Sequence, residues 1–184
     1  MRAAVLVIDM VKDTFSEDHH YPITPFARAI VPAVNRITAW ARKKNYPVVF
    51  ACDNFKEDDF IFKGKMQPHS LMGTPGSEVT DLLDVEPEDV YLPKRRFSAF
   101  FKTGLEQALR GREVDTVVVC GIATHFCVLA TVLDALACDF SAVLVEDASA
   151  TFSPEAHKNT LELYRKSPLH PLLRVMKTED VLDL

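Results

Sequence analysis

Four residues stand where chemistry is easiest to build: Asp9, Asp53, Lys94 and Cys127. Asp9 follows the apolar run Ala3–Ile8 and Asp53 follows Pro47–Cys52. Lys94 comes just after Val90–Leu92, and Cys127 lies seven residues beyond Cys120, the end of Thr116–Cys120. A thiol attacks well only as thiolate, so it needs a base and something positive nearby. Thr124 can cap a helix from His125 to Ala137, which places Cys127 in the first turn. Unpaired N–H groups and the positive dipole end favour an anion there. A thiol of pKa near 8.5 is only ~3 % ionised at pH 7; lowering it to about 6 gives ~90 %. The spacing therefore predicts an ionised Cys127, with Asp9 to carry its proton and Lys94 to hold both anions.

Each residue also has a plainer reading. Cys127 can be an inert core cysteine, Asp9 a cap or turn residue, Lys94 a solvated surface charge, and Asp13 a capping or turn acid. Cys52, Cys120 and Cys138 read as core thiols. Arg95 and Arg96 read as surface or subunit contacts. The stretch Gly121–Cys127 carries small residues between a buried strand and a helix, so backbone amides can approach a substrate. The amides of Ala123 and Cys127 are the candidate oxyanion donors.

These side chains must be positioned by alternating strands and helices. Six strand-like runs are expected: Ala3–Ile8, Pro47–Cys52, Val90–Leu92, Thr116–Cys120, Ala142–Val145 (ending near Asp147) and Leu172–Met176. Ile30, Val34, Ile37 and Ala41 repeat at helical spacing, with Pro32 expected in the first turn. Ser77–Leu83 reads as a short helix. Thr103 and Glu106 read as a capping box for a helix running to Arg110. Ser153 before Pro154 opens another helix, and Glu179–Leu182 is a last turn. The pattern predicts one α/β domain over residues 1–184, a three-layer αβα sandwich with a mostly parallel, Rossmann-like six-stranded sheet. Its common strand order is 3-2-1-4-5-6. In such sheets ligands bind beyond the carboxyl ends of the strands, where strands 1 and 4 flank the switch point. Asp9 and Cys127 would face each other there. The long stretch from Asn54 to Pro75 is a candidate functional loop.

The 184 residues carry 21 Lys and Arg against 26 Asp and Glu, a net charge of -5. That balance argues against nucleic acid or an anionic membrane as partner. No run is long enough to span a bilayer. The N-terminus shows no cleavage signal, so a cytoplasmic location with four free thiols is expected.

The opening Val5-Leu6-Val7-Ile8-Asp9-Met10, the loop Pro68–Gly76, the segment Lys94–Phe100 and the stretch Cys120–Val128 together resemble the isochorismatase-like cysteine hydrolase superfamily. That superfamily includes nicotinamidases and N-carbamoylsarcosine amidases. The resemblance covers nearly the whole chain. It implies an Asp9–Lys94–Cys127 triad, a cis peptide between Ile122 and Ala123, an aromatic near the substrate at Phe15, and assembly as a homodimer or homotetramer. The apolar stretches Phe60–Phe62 and Phe97–Phe101 could serve as contacts. Two departures stand out. Nicotinamidases carry Asp-x-His and a later His as metal ligands. Asp53 and His69 match, but Phe55 replaces the first His, and two ligands make a weak zinc site. No cofactor is therefore expected to be required, and His69 could instead touch substrate. The opening is also one residue longer than the family's usual form.

The expected activity is cleavage of a small amide or carbamoyl C–N bond through a thioester. Candidate substrates are nicotinamide-like amides, N-carbamoyl amino acids and other small ureido compounds. Rival readings are a vinyl-ether hydrolase, a magnesium-dependent phosphohydrolase with Asp9 as nucleophile, and a non-catalytic α/β binding module. Val11 lacks the second acid that the phosphohydrolase wants, and the binding module leaves Cys127 unexplained.

Overall fold

A computed structural model of the chain describes residues 1–16 and 21–184. Its strands are β1 (Ala3–Ile8), β2 (Val48–Asp53), β3 (Val90–Lys94), β4 (Thr116–Ile122), β5 (Ser141–Ala150) and β6 (Leu173–Met176). They form one parallel sheet of order β3-β2-β1-β4-β5-β6. Ile8 pairs with Ala51 on one side and Gly121 on the other, so the carboxyl ends of the three central strands lie level.

β1 is buried on both faces, which explains its unbroken apolar run. Ala3, Val5 and Val7 pack with Ile30, Val34, Ile37 and Trp40 of α2 (Thr24–Lys43) and Val181 of α6 (Thr178–Leu182). Ala4, Leu6 and Ile8 face the opposite layer. There they meet Leu105 and Leu109 of α3 (Leu105–Arg110), Val132 of α4 (Leu129–Ala137) and Leu161 of α5 (Pro154–Arg165). The period-two alternation of one strand thus feeds two helical layers. A further short turn, α1 (Lys12–Phe15), follows β1.

Several local expectations change. α2 begins at Thr24 with Pro25 in its first turn, so Pro32 is interior. Pro32 and Arg28 are both exposed, so the carbonyl left without its i+4 donor can be hydrated. Ser77–Leu83 is not a helix: a 3-10 turn at Pro75–Ser77 is followed by turns. Gly104, not Thr103, precedes α3. Thr103 Oγ1 still accepts from Leu105 N (3.2 Å), but Glu106 turns to Arg110 (3.1 Å) instead of completing a box. β5 continues past Asp147 to Ala150 through a register shift, and Asp147 accepts from the Thr178 amide at the start of α6. Ser153 does cap α5, accepting from Ala156 N at 3.2 Å. No described helix is long and apolar enough to cross a membrane.

Candidate active site

The site starts where β1 ends. Asp9 sits in the left-handed region at φ 55, a conformation that costs a non-glycine residue about 1–3 kcal/mol. Both carboxylate oxygens are engaged. Oδ1 accepts from Asp53 N at the end of β2 (2.8 Å), and Oδ2 accepts from Lys94 Nζ at the end of β3 (2.9 Å). The ammonium is buried and also donates to Asp53 Oδ1 (2.5 Å) and the Arg96 carbonyl (3.2 Å). Its three N–H donors thus have three acceptors. Lys94 is therefore not a solvated surface charge.

Cys127 completes the floor from β4. Its sulfur lies beside the Asp9 carboxylate, within 4.8 Å of a carboxylate oxygen. Ligand atoms of Asp9, Asp53 and Cys127 all fall within 4.8 Å of one another. The chain reaches Cys127 through a cis Ile122–Ala123 peptide and a π-helical turn at Thr124–Val128. Thr131 Oγ1 donates to the Cys127 carbonyl (2.8 Å) and accepts from Ala99 N (3.0 Å), which locks this turn to the segment after Lys94. Thr124 does not cap the helix: its hydroxyl bonds His157 Nδ1 at 2.8 Å.

Two glycines permit the close approaches. Gly121 has φ +109, and a Cβ there would lie 2.2 Å from the Ile8 carbonyl oxygen. A Cβ on Gly76 would strike the Asp13 carboxylate, which accepts from the Ser70 amide at 2.6 Å. Asp13 is thus the tie between α1 and the long loop.

Electrostatics correct one sequence expectation. Cys127 is buried, and that burial, with Asp9 and Asp53 beside it, pushes the thiol well above its ordinary value. Lys94 opposes the shift without reversing it. Burial therefore works against the ionised sulfur that the helix start favours. Asp9 is raised to about 7 by burial and by the Asp53 charge, against the pull of Lys94. Lys94 loses by burial but gains more from Asp53 and Asp9, and is held well above its usual range as a permanent cation. Burial also raises Cys120 to about 12 and places Cys52 higher still. No cysteine is in a disulfide.

Above the floor opens a cavity of about 510 Å³, lined by Asp9, Cys127, Ile122 and Ala123 below and by the loops above. His69 lines it, but Phe15 does not. Thr14 lines the cavity, whereas Phe15 packs into the core, where Arg28 lies 5.7 Å from its ring centroid. Sequence reasoning also missed Ile61, Met66, Phe97, Phe126 and Phe152 on the upper walls. Phe97 and Phe126 stack at 6.1 Å, a contact between distant segments that no local pattern announces. Arg95 and Arg96 both grip the buried Asp59, at 2.9 Å each, and so clamp the long loop over β3.

Among the described residues, those at this site do not fit a zinc ion of the nicotinamidase kind. Lys94 Nζ already stands between Asp53 and Asp9. His69 is not in the Asp9–Asp53–Cys127 group, and the side chain two residues beyond Asp53 is the donor-free Phe55.

Comparison with known proteins agrees with this architecture. The Isochorismatase domain profile matches residues 3–180. A protein of Arabidopsis thaliana described as a probable inactive nicotinamidase is 36 % identical over 165 residues, covering 84 % of this chain and 83 % of that one. The crystal structure of N-carbamoylsarcosine amidase from Thermoplasma acidophilum superposes with a TM-score of 0.83 at 29 % identity. It covers 97 % of this chain and 98 % of its own. The pyrazinamidase of Pyrococcus horikoshii, solved in complex with zinc, gives 0.83 at 29 % identity, covering 96 % and 99 %. The six-stranded parallel sheet, the convergence of Asp9, Lys94 and Cys127 at its carboxyl edge, and the match over residues 3–180 lead to one assignment: this chain is a hydrolase of the isochorismatase family.

Proposed function

We propose that the chain is a cysteine-dependent amidohydrolase acting on a small amide or carbamoyl C–N bond. The observation that carries this reading is the floor: a reachable thiol, a carboxylate of pKa about 7 beside it, and a buried ammonium that stays charged. A base poised near neutral pH is the efficient choice for proton transfer.

In this mechanism Asp9 takes the proton from Cys127 as sulfur attacks the carbonyl carbon. The neutral thiol and ionised Asp9 become a tetrahedral adduct and a protonated Asp9. Amides of Ala123 and Cys127 receive the oxyanion. Asp9 returns the proton to the leaving nitrogen, and ammonia or amine departs to leave a thioester. Asp9, ionised again, then deprotonates a water that attacks the thioester, and the sulfur recovers the proton. Lys94 never transfers a proton; it holds Asp9 in place and offsets charge on sulfur. Each proton passes only among Cys127, Asp9, the substrate nitrogen and the attacking water.

The test is ammonia release from a panel of primary amides and ureido compounds. Wild type should hydrolyse at least one, and Cys127→Ala should abolish it. Undiminished turnover by Cys127→Ala would refute covalent catalysis. The vinyl-ether reading has one observation in its favour: a carboxyl of pKa about 7 can also donate a proton. That reaction would survive loss of the thiol, so the same variant separates the two.

A further inference from the structure

One corner of the cavity is built differently from the floor. β2 delivers Asp53, and two residues later Phe55 is fully buried. Phe55 N donates to the Ser70 carbonyl (3.0 Å), and the Phe55 carbonyl accepts from Met72 N (2.8 Å). That bridge lays Phe55 against His69, with ring centroids 5.4 Å apart. Phe62 closes the triangle, 5.3 Å from Phe55 and 5.9 Å from His69. All three pairs meet edge-on, the favoured aromatic geometry. His69 Nδ1 lies 2.9 Å from the Gln67 carbonyl, which can only accept, so that nitrogen carries hydrogen. Asp53 Oδ1 is already held by Lys94.

The charges facing the cavity complete the picture. Among the described residues no Lys or Arg lines it, whereas Asp9 and Asp53 do. A substrate carboxylate would find acids below and, above, a mainly aromatic and apolar wall whose polar members, such as Gln67, His69 and Ser70, include no Lys or Arg.

We propose that Phe55 is a specificity-determining residue: its packing with Phe62 and His69 replaces a metal-holding corner by an apolar one. The chain then binds no zinc at Asp53 and His69 and takes amides whose acyl group is uncharged. The substrate half rests on the amidohydrolase reading; the zinc half does not. Apolar contact, in place of a metal bond to a ring heteroatom, holds the acyl group.

Two calorimetric measurements test this. In the first, zinc chloride is titrated into wild type, Phe55→His and Phe55→His/His69→Ala. Wild type should show no site that depends on Asp53 or His69. Phe55→His should bind zinc ~100-fold more tightly, and adding His69→Ala should remove that gain. One zinc per wild-type chain, weakened by His69→Ala or Asp53→Asn, overturns the proposal; this arm needs no folded Phe55 variant. In the second, benzamide and 4-carbamoylbenzoate are titrated into Cys127→Ala, where no turnover intervenes. Benzamide should bind at least ~10-fold more tightly, because the carboxylate meets like charge. Equal or tighter binding of the carboxylate, or no binding of benzamide, overturns it. Ligand preference as expected without ammonia release from any amide by wild type would instead sink the amidohydrolase reading.

Discussion

The floor and the upper wall of the cavity are made by opposite means. The floor is assembled by strand ends: β1 delivers Asp9, β2 Asp53, β3 Lys94 and β4 the turn to Cys127. Its positions are fixed by strands of which β1, β2 and β4 are buried, and the Asp9 carboxylate and the Lys94 ammonium are held by hydrogen bonds at every oxygen and N–H. Much of the wall is the loop from Asn54 onward, with 3-10 turns at Phe60–Lys63 and Pro75–Ser77, held by side-chain devices: Asp59 between two arginines, Asp13 on the Ser70 amide. Chemistry sits on the part that cannot shift, and selectivity on the part that can be redrawn without disturbing the sheet.

That contrast can be broken at the floor first. Cys127→Ala should lower kcat/KM by at least ~10⁴ with an unchanged melting temperature, read by ammonia release and thermal unfolding. Asp9→Asn should cost about 10³, since the thiol would lose its acceptor; alkylation of Cys127 by iodoacetamide should slow in parallel. Lys94→Met leaves Asp9 and Asp53 facing each other with no cation. It should destabilise the chain by about 3 kcal/mol, roughly 6–12 °C in melting temperature, and abolish turnover.

The pH dependence sharpens the same point. Asp9 must be ionised to act, so kcat/KM should rise about tenfold per pH unit below 7 and level off above it. Stability runs the other way for this group. Between 3.8 and about 7 the folded chain keeps a proton that the unfolded chain has released, so Asp9's contribution weakens as pH rises through that window. Lys94 contributes the reverse case: its stabilisation is complete below 10.5 and fades only as pH climbs through its raised folded value. The smallest effect should come from the wall. Asp59→Ala frees two half-exposed guanidiniums and should cost about 1–2 kcal/mol, raising KM several-fold while kcat barely moves.

The same division explains what the sequence made legible. Strand ends announce themselves, because a polar residue after a doubly buried apolar run has few places to go. Asp9 and Asp53 were readable for that reason, as was the strand order by class; Lys94 ends the half-exposed edge strand β3 and stood out only as the cation that an acid and a thiol need. Local competition defeated other readings. Thr124 has a capping residue's chemistry, but His157, 33 positions away, takes its hydroxyl. Phe15 has the right type, but it packs into the core while its neighbour Thr14 lines the cavity. Cys127 does stand at the same edge as Asp9, but the burial that opposes its ionisation depends on packing that no spacing encodes. The aromatic wall and the Asp59 clamp join segments far apart in the chain, so nothing local could reveal them.

Gly121 carries a consequence of its own. The carbonyl it must clear belongs to Ile8, the residue that holds Asp9 in place, and Gly121 itself leads through Ile122 to the turn bearing Cys127. A single methyl group at this crossing would push apart two strands and the acid and sulfur they present. Gly121→Ala should therefore fail in stability and turnover together. In a saturation library position 121 should tolerate only its present occupant, although its residue never meets a ligand.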